Sequence, residues 1–439
     1  MMKKALILAL CLTAWTSAVS GDNWPQYLGP NRNATSPETG LLKSWPESGP
    51  EALWIFPLGE GYGAPAVYEG KVYILDKADK KDTLRCLDLA TGKEEWSYSY
   101  DASGSYGHPG SRSVPTVDKE RIYTCGPDGD IYCIDKTTHK PIWNKSLREG
   151  FGNPASLGWG FGQNPLLYKN MLIVAPMTNE VGVAALDPSN GNIIWKSAPL
   201  PGNPSYVSPA IFSVGGMEQV VMASATNERR GRRRGGSSDQ QTESQPSPEA
   251  NKGAIVGLDP KNGQQLWSYN GWQCMIPIPN VVAIGGDRFF ITGGYRAGSA
   301  IFRVSQKDGA YVAEEVLKTQ DFGTHCHPPL FYKNHLYGIC STNETRDGLV
   351  CMNLEGKVQW KTESNPFFDK GGMILADEMI ISVDGRDGFL YLIDPAPEGF
   401  KPLAKAKMLE PGESWAPLTL VDGKLLIRDQ TQIKCVKIK

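Results

Sequence analysis

The sequence lacks a strong net charge, long apolar runs and any sustained helical pattern. Lys and Arg number 45 against 47 Asp and Glu, which gives a formal net charge of −2. This balance provides no global field for nucleic acid or anionic membranes, so no nucleic-acid partner is expected. No segment approaches about 18 consecutive apolar residues, so we expect no membrane-spanning helix. The missing 3.6-residue apolar period disfavours a helical fold.

Several signatures of catalysis and cofactor binding are also missing. The chain has no Gly-rich phosphate loop, no dinucleotide fingerprint and no Gly-x-Ser-x-Gly nucleophile elbow. It has only five His. His325 and His327 would point the same way in a strand and are the weak candidates for metal ligands. No third ligand can be located beside them, so no metal is expected. His108 lies in a turn context and is expected at the surface.

The N-terminus has the pattern of an export signal. Lys3-Lys4 is followed by an apolar stretch over residues 5–12 and by the small-residue site Ala18-Val19-Ser20. This order of charged, apolar and small residues predicts a signal peptide over residues 1–20. The mature protein is therefore expected in the periplasm or outside the cell.

What the chain does contain is a repeat. A motif of a small residue, an aliphatic residue, Asp, a turn, Gly and Trp recurs, as in Cys86-Leu87-Asp88 followed by Gly92 and Trp96. In most units a Pro such as Pro65 opens a preceding apolar run. Eight units of about 45 residues match four-stranded propeller blades. We predict an all-β fold, an eight-bladed β-propeller over residues 51–439.

The repeated Trp residues are expected to be structural. The Asp accepts hydrogen bonds from turn amides, the Gly supplies a positive φ, and the Trp buries its ring against the next blade. The eighth unit ends before its Trp strand, whereas an orphan strand, Leu53-Trp54-Ile55-Phe56, lies near the N-terminus. We predict that this strand closes the ring by pairing with the last blade. The structural Trp residues are Trp54, Trp96, Trp143, Trp195, Trp267 and Trp360.

The cysteines are expected to be free thiols. Equivalent positions in different blades are too far apart for a disulfide. A disulfide between Cys125 and Cys133 across a turn is the alternative, and Cys340 stands in the same relation to Cys351. The cysteines that share one repeat position are Cys86, Cys133, Cys351 and Cys435.

Two segments fall outside the repeats. Residues 21–50 form an N-terminal segment before the ring. Residues 228–252 interrupt the fourth unit with a run of Arg followed by Gly, Ser, Gln, Glu and Pro. This composition cannot bury a core, and we predict a disordered insertion there.

A candidate ligand site follows from the propeller prediction. The residues just before each inner strand should gather around one mouth of the central channel. Their mixed polar and aromatic character suits a small ligand or a side chain of a partner. The candidates are Tyr62, Arg112, Gln163, Tyr206, His325, His327, Lys370 and Trp415.

The unit with Asp, Thr-Gly and Trp resembles the tryptophan-docking repeat of the pyrroloquinoline-quinone (PQQ) propeller superfamily. That superfamily includes quinoprotein alcohol dehydrogenases and the outer-membrane assembly lipoprotein B of Gram-negative bacteria. The start, from Trp24-Pro25-Gln26-Tyr27 onward, resembles PQQ-like repeat proteins of planctomycete-type bacteria. The resemblance implies the propeller fold. The adjacent cysteine pair that is typical of the dehydrogenases is missing here.

Three functions compete at this point. The leading prediction is an exported, non-catalytic scaffold that binds another protein or an envelope component and needs no cofactor. The alternative is a PQQ-dependent oxidoreductase, with calcium, whose site lies at the channel mouth. The third is a carbohydrate-binding propeller, which is favoured by Trp159, Trp272 and Trp415 if these residues are exposed.

Overall fold

The computed structural model describes residues 23–153, 157–227, 251–342 and 344–439. Within these ranges the regular secondary structure is entirely β, and no helix there is long and apolar enough to cross a membrane. The predicted signal peptide lies outside the described residues, and so does the predicted insertion except for its last two residues.

The first sixteen strands, in chain order, are β1 (Thr35–Ser36), β2 (Ala52–Pro57), β3 (Ala66–Tyr68), β4 (Lys71–Ala78), β5 (Lys81–Asp88), β6 (Glu94–Asp101), β7 (Thr116–Val117), β8 (Arg121–Cys125), β9 (Asp130–Asp135), β10 (Pro141–Ser146), β11 (Leu166–Tyr168), β12 (Met171–Val174), β13 (Ala184–Leu186), β14 (Ile193–Lys196), β15 (Ala210–Val214) and β16 (Met217–Ala223). The others are β17 (Ile255–Leu258), β18 (Gln265–Tyr269), β19 (Val282–Ala283), β20 (Arg288–Gly293), β21 (Gly298–Lys307), β22 (Ala310–Thr319), β23 (Leu330–Tyr332), β24 (His335–Ser341), β25 (Arg346–Asn353), β26 (Val358–Lys361), β27 (Met373–Ala376), β28 (Met379–Val383), β29 (Phe389–Asp394), β30 (Lys401–Lys407), β31 (Thr419–Val421), β32 (Lys424–Arg428) and β33 (Gln432–Lys437).

These strands form the predicted eight-bladed propeller. Each blade is an antiparallel four-stranded sheet, and β1 adds a fifth, parallel strand to blade seven. Numbered in chain order, blades one to eight consist of β3–β6, β7–β10, β11–β14, β15–β18, β19–β22, β23–β26, β27–β30 and β31–β33 with β2.

The burial of each strand reflects its place in its blade. The second strand of blade one is apolar and buried on both faces from Val72 to Leu75, because neighbouring blades cover both sides of the sheet. The fourth strand alternates between partly buried and exposed residues over most of its length, since it lies at the outer rim. The apolar core therefore lies between the blades, with the shortest strands at the central channel.

The predicted closure of the ring is confirmed. β2 pairs antiparallel with β33, and Trp54 lies opposite Cys435. The last blade thus takes its outer strand from the start of the chain. This pairing covers the edge that β33 would otherwise expose.

Most repeat Trp residues lie where two blades meet. The indole Nε1 of Trp54 donates to the carbonyl of Leu89, which follows the motif Asp of the next blade, at 2.9 Å. That Asp, Asp88, accepts a hydrogen bond from the amide of Thr91 at 3.0 Å and so holds the turn. Equivalent indole bonds join Trp143 to Pro188, Trp195 to Pro260, and Trp360 to Ala396.

Two repeat Trp residues depart from this arrangement. Trp96 stacks on His139, with ring centroids 4.5 Å apart and planes at 13°. His139 occupies the place of the motif Gly. Trp267 donates to Gln219 of its own blade at 2.6 Å and packs on Phe302 of the next blade with a centroid distance of 5.9 Å.

The N-terminal segment packs across the ring. Trp24 forms a bridge with Val67 of blade one, and β1 pairs with β27 of blade seven. Between them, the guanidinium of Arg32 donates to the carbonyls of Asn164 and Pro165 in blade three at 3.2 and 3.3 Å. The segment thus crosses the channel at the end opposite the predicted mouth.

All eight cysteines in the described part of the chain are free thiols, and seven of them are buried. The alternative pairs, Cys125 with Cys133 and Cys340 with Cys351, form no disulfide there. The shared repeat position holds a small buried side chain, as at Cys86 and Ala185.

Asp82 is fully buried where blades one and two meet, close to Gly126 of blade two. Neither of its carboxylate oxygens has a hydrogen-bond partner in the described residues. Burial raises the pKa of this carboxyl to about 7. The charged groups near it are Lys77, Asp76, Asp128 and Asp130.

We expect Gly92→Ala to destabilise the propeller more than Gly70→Ala does. Both glycines belong to blade one and have positive φ, +70° and +75°. A Cβ at Gly92 would lie 2.5 Å from the docked ring of Trp54, whereas a Cβ at Gly70 would meet nothing within 4 Å. Urea unfolding should show an extra loss of about 1–3 kcal/mol for Gly92→Ala. Equal losses would contradict the docking argument.

We expect Asp82→Asn to remove a pH dependence of stability. The carboxyl has a folded pKa of about 7 against an ordinary 3.8. Its contribution is therefore fully present below about pH 4 and is lost as the pH rises through 7. Relative to the wild type, the variant should gain about 2–3 kcal/mol in unfolding free energy between pH 5 and pH 8. Asp308→Asn at an exposed turn is the control, and a gain of the same size there would refute the assignment.

Candidate functional site

A cavity of about 390 Å³ lies at the predicted channel mouth. All eight blades contribute to it through the segments that precede their inner strands. Tyr27 of the N-terminal segment also lines it. Because that segment crosses the far end of the channel, the cavity is a cup with one open mouth, and we call it the central cup. Its other lining residues include Tyr62, Arg112, Asn164, Tyr206, Ile278, His325, Lys370 and Trp415.

Seven of the eight predicted mouth residues line the central cup, and Gln163 does not. Gln163 is buried and its side-chain amide donates to the carbonyl of Ser205 at 3.0 Å. Its neighbours Gly162 and Asn164 line the cup instead. The residues of this segment that face the cup are therefore one position away from the residue that the sequence predicted.

Aromatic rings form a continuous wall along one side of the cup. Trp415 stacks on Tyr62, with centroids 5.6 Å apart and planes at 30°. Trp415 also approaches His108 at 5.4 Å, and His108 approaches Trp159 at 6.2 Å. Trp159 continues to Tyr206 at 5.6 Å. These five rings, the aromatic wall, come from the segments that precede the inner strands of five different blades.

Two cations lie beside the stacked rings of Tyr62 and Trp415. The guanidinium carbon of Arg112 lies 5.6 Å from the ring centroid of Tyr62, and the ammonium of Lys370 lies 4.7 Å from that of Trp415. Lys370 also pairs with the buried carboxylate of Asp369 at 2.8 Å. Cation–π contacts of this kind fix the rings and the charges relative to each other.

Among the described residues that line the cup, Glu413 is the one carboxylate. It accepts a hydrogen bond from the hydroxyl of Tyr62 and lies 3.2 Å from Nδ1 of His108. Burial and this bond to Glu413 raise the pKa of Tyr62. The carboxylate therefore holds two rings of the aromatic wall, Tyr62 and His108, in place.

The segment His325-Cys326-His327 also lines the cup. Burial lowers the pKa of both imidazoles to about 4 and raises that of the Cys326 thiol to about 12, so all three groups are neutral near pH 7. Nε2 of His327 donates to the carbonyl of Trp415 at 2.8 Å. Within the described ranges no group of three or more His, Cys, Asp or Glu is placed to hold a metal.

One of the expected sugar-stacking residues is buried elsewhere. Trp272 is 2% exposed and donates to the carbonyl of Gly298 at 3.1 Å. Its ring is part of the core between blades four and five, so the exposure that would favour carbohydrate binding is not met at Trp272. Trp159 and Trp415 are half-buried and line the cup.

Sequence reasoning missed several residues of the cup. His108 was expected at the surface, yet it lies within the aromatic wall. Glu413 precedes Trp415 by two residues, and this closeness was the available signal for it. Tyr27 belongs to a segment outside the repeats, which gave no signal that it reaches the channel.

The residues of the cup do not fit a calcium-held PQQ. A planar, multiply charged quinone needs a stacking floor, a cap and a cation with several oxygen ligands. Glu413 is already bound by Tyr62 and His108. Cys326 is the single cysteine lining the cup, and the sequence has no adjacent cysteine pair to form a cap.

Comparison with known structures supports the fold. The structure of BamB from Moraxella catarrhalis superposes with a TM-score of 0.58 at 13% identity, over 89% of this chain and 98% of that one. The quinohemoprotein alcohol dehydrogenase from Comamonas testosteroni superposes with a TM-score of 0.63 at 14% identity, over 94% of this chain and 80% of that one. At these identities the likeness shows the fold alone.

Comparison with sequences identifies the family. The curated quinohemoprotein alcohol dehydrogenase of Comamonas testosteroni is 25% identical over 149 residues, which is 32% of this chain and 20% of that protein. A family model described as outer membrane protein assembly factor BamB matches residues 80–273 and 183–397. That match spans more than half of the chain and confirms the resemblance seen in the repeats, and the protein therefore belongs to the BamB-like family of PQQ-repeat propellers.

Proposed function

We propose that this protein is an exported, non-catalytic binding propeller whose central cup holds part of a partner protein or of another envelope component. The observation that carries the proposal is the aromatic wall. Large, half-exposed rings at a cup mouth provide contact area at low cost in conformational entropy, as in protein-binding sites. The ring scaffold holds them rigidly because each comes from a different blade.

The polar groups of the cup support binding rather than catalysis. Glu413 and His327 are each hydrogen-bonded to other residues of the cup. Lys370 is paired with a carboxylate. The high pKa of Cys326 leaves its thiol protonated and a poor nucleophile. A general acid or base must lie within hydrogen-bond reach of the proton that it transfers.

Two observations support an exported location for this function. The N-terminal pattern of Lys3-Lys4, an apolar stretch and small residues is that of an export signal. The description of the matching family refers to the assembly of outer membrane proteins. We place the protein in the periplasm or outside the cell on this basis.

A photo-crosslinking amino acid in place of Trp159 should capture a discrete partner in cells of the native organism. The same group in place of Ile194, which is 48% exposed on an outer strand, is the control. We expect an adduct at position 159 only, weakened by Trp415→Ala because that change removes the centre of the aromatic wall. Identical adducts at both positions, or none at position 159, would argue against a binding role for the cup.

Adding PQQ and Ca²⁺ to the purified protein should give no dye-linked oxidation of alcohols or sugars. The reason is that the described residues of the cup offer calcium one carboxylate, Glu413, and this carboxylate is already held by Tyr62 and His108. The measurement is steady dye reduction under conditions in which a quinoprotein dehydrogenase is active. Turnover that requires both additions and is lost in Trp415→Ala or Arg112→Ala would favour the oxidoreductase instead.

A further inference from the structure

Arg112 carries a charge that no described carboxylate pairs with. Its guanidinium donates to the backbone carbonyls of His108 and Gly110, which uses two of its five N–H groups. Burial lowers the pKa of Arg112, the direction expected of a cation held partly away from water. The unused N–H groups suit a carboxylate, which an arginine binds through two parallel hydrogen bonds.

The other charged groups that line the cup do not occupy the unused N–H groups of Arg112. Lys370 has its partner in Asp369. Glu413 has its partners in Tyr62 and His108. Among the described residues Arg112 forms no direct ion pair, although the charge of Glu413 acts on it at longer range. This favours a ligand with a single negative charge over a multiply charged one.

The walls favour a flat, apolar ligand body. Five rings line one side of the cup. A sugar would require several free hydrogen-bonding groups, and two such groups, Glu413 and His327, are already engaged. An aromatic ring gains edge-to-face and offset-stacked contacts with such a wall.

We propose that the central cup binds an aromatic carboxylate, with the carboxylate on Arg112 and the ring against the aromatic wall. This rests on the proposed function of the cup as a binding site. The N-terminal segment, with Tyr27, closes the far end of the channel. An end group therefore fits the cup better than the middle of a continuous chain. Two kinds of ligand have this chemistry: a free aromatic acid, and an aromatic residue at the C-terminus of a polypeptide.

The test compares an acid with its uncharged analogue. Calorimetric titration of the full-length protein with N-acetyl-L-phenylalanine and with its amide should show at least about tenfold tighter binding of the acid, the factor for a charge-assisted hydrogen bond. Arg112→Gln should remove this preference, and Arg112→Lys should retain part of it. Trp159→Ala should weaken both ligands to the same degree.

The matched control is Arg303→Gln, since Arg303 is exposed on β21 and is not among the residues that line the cup. It should leave both affinities unchanged. If Arg112→Gln fails to fold, the preference of the wild-type protein for the acid over the amide still tests the proposal. Equal binding of acid and amide, or binding of neither, overturns the proposal.

An octapeptide ending in Phe separates the two sources. Binding of the free-acid peptide at least as tightly as N-acetyl-L-phenylalanine, with loss of binding on amidation, identifies a polypeptide C-terminus. Binding of the small acid alone identifies a free aromatic acid, and both results support the shared chemistry. A partner captured at position 159 that the acid does not displace would preserve the proposed function and reject this inference.

Discussion

The structure depends on the docking of an indole onto the turn of the next blade. A four-stranded blade cannot cover both of its faces alone, and four of the six repeat Trp residues join two blades through a packed ring and an indole hydrogen bond. Trp195 illustrates both parts, since it is 7% exposed and bonded to Pro260. Truncation of such a ring costs about 3–5 kcal/mol. Where the Trp or the Gly is replaced, as at Leu317 and His139, a different side chain fills the same seam.

The central cup is a consequence of this ring. Each blade turns its inner strand toward the axis, so the residue before that strand reaches the mouth whatever its identity. The repeat fixes the position and leaves the chemistry free to vary from blade to blade. Tyr62, Arg112 and Lys370 meet for this reason, although they lie in different repeats. The N-terminal segment then converts an open channel into a closed-ended site.

The sequence predicted the parts of the site that the repeat controls. Arg112 and Trp415 could be placed because their distance from an inner strand is constant. Gln163 and Asn164 differ by one residue, and successive residues of an extended chain point to opposite sides, so the pattern could not decide between them. His108 and Glu413 lie on loop positions that the repeat does not fix, so the sequence pattern could not place them. Trp272 lies outside the repeated Trp position, and only its packing against Gly293 and its hydrogen bond to Gly298 show that it is buried.

The strand that closes the ring has a kinetic consequence. β2 is made early, yet its partner β33 is made after all the other blades. A newly made chain therefore carries this strand unpaired while seven blades assemble, and the strand includes Ile55, which is 54% exposed even in the folded protein. Unpaired strand edges readily form hydrogen bonds with strands of other chains. Because this contact spans nearly the whole chain, its loop closure is slow, and the last step of folding is the one at which aggregation competes most strongly.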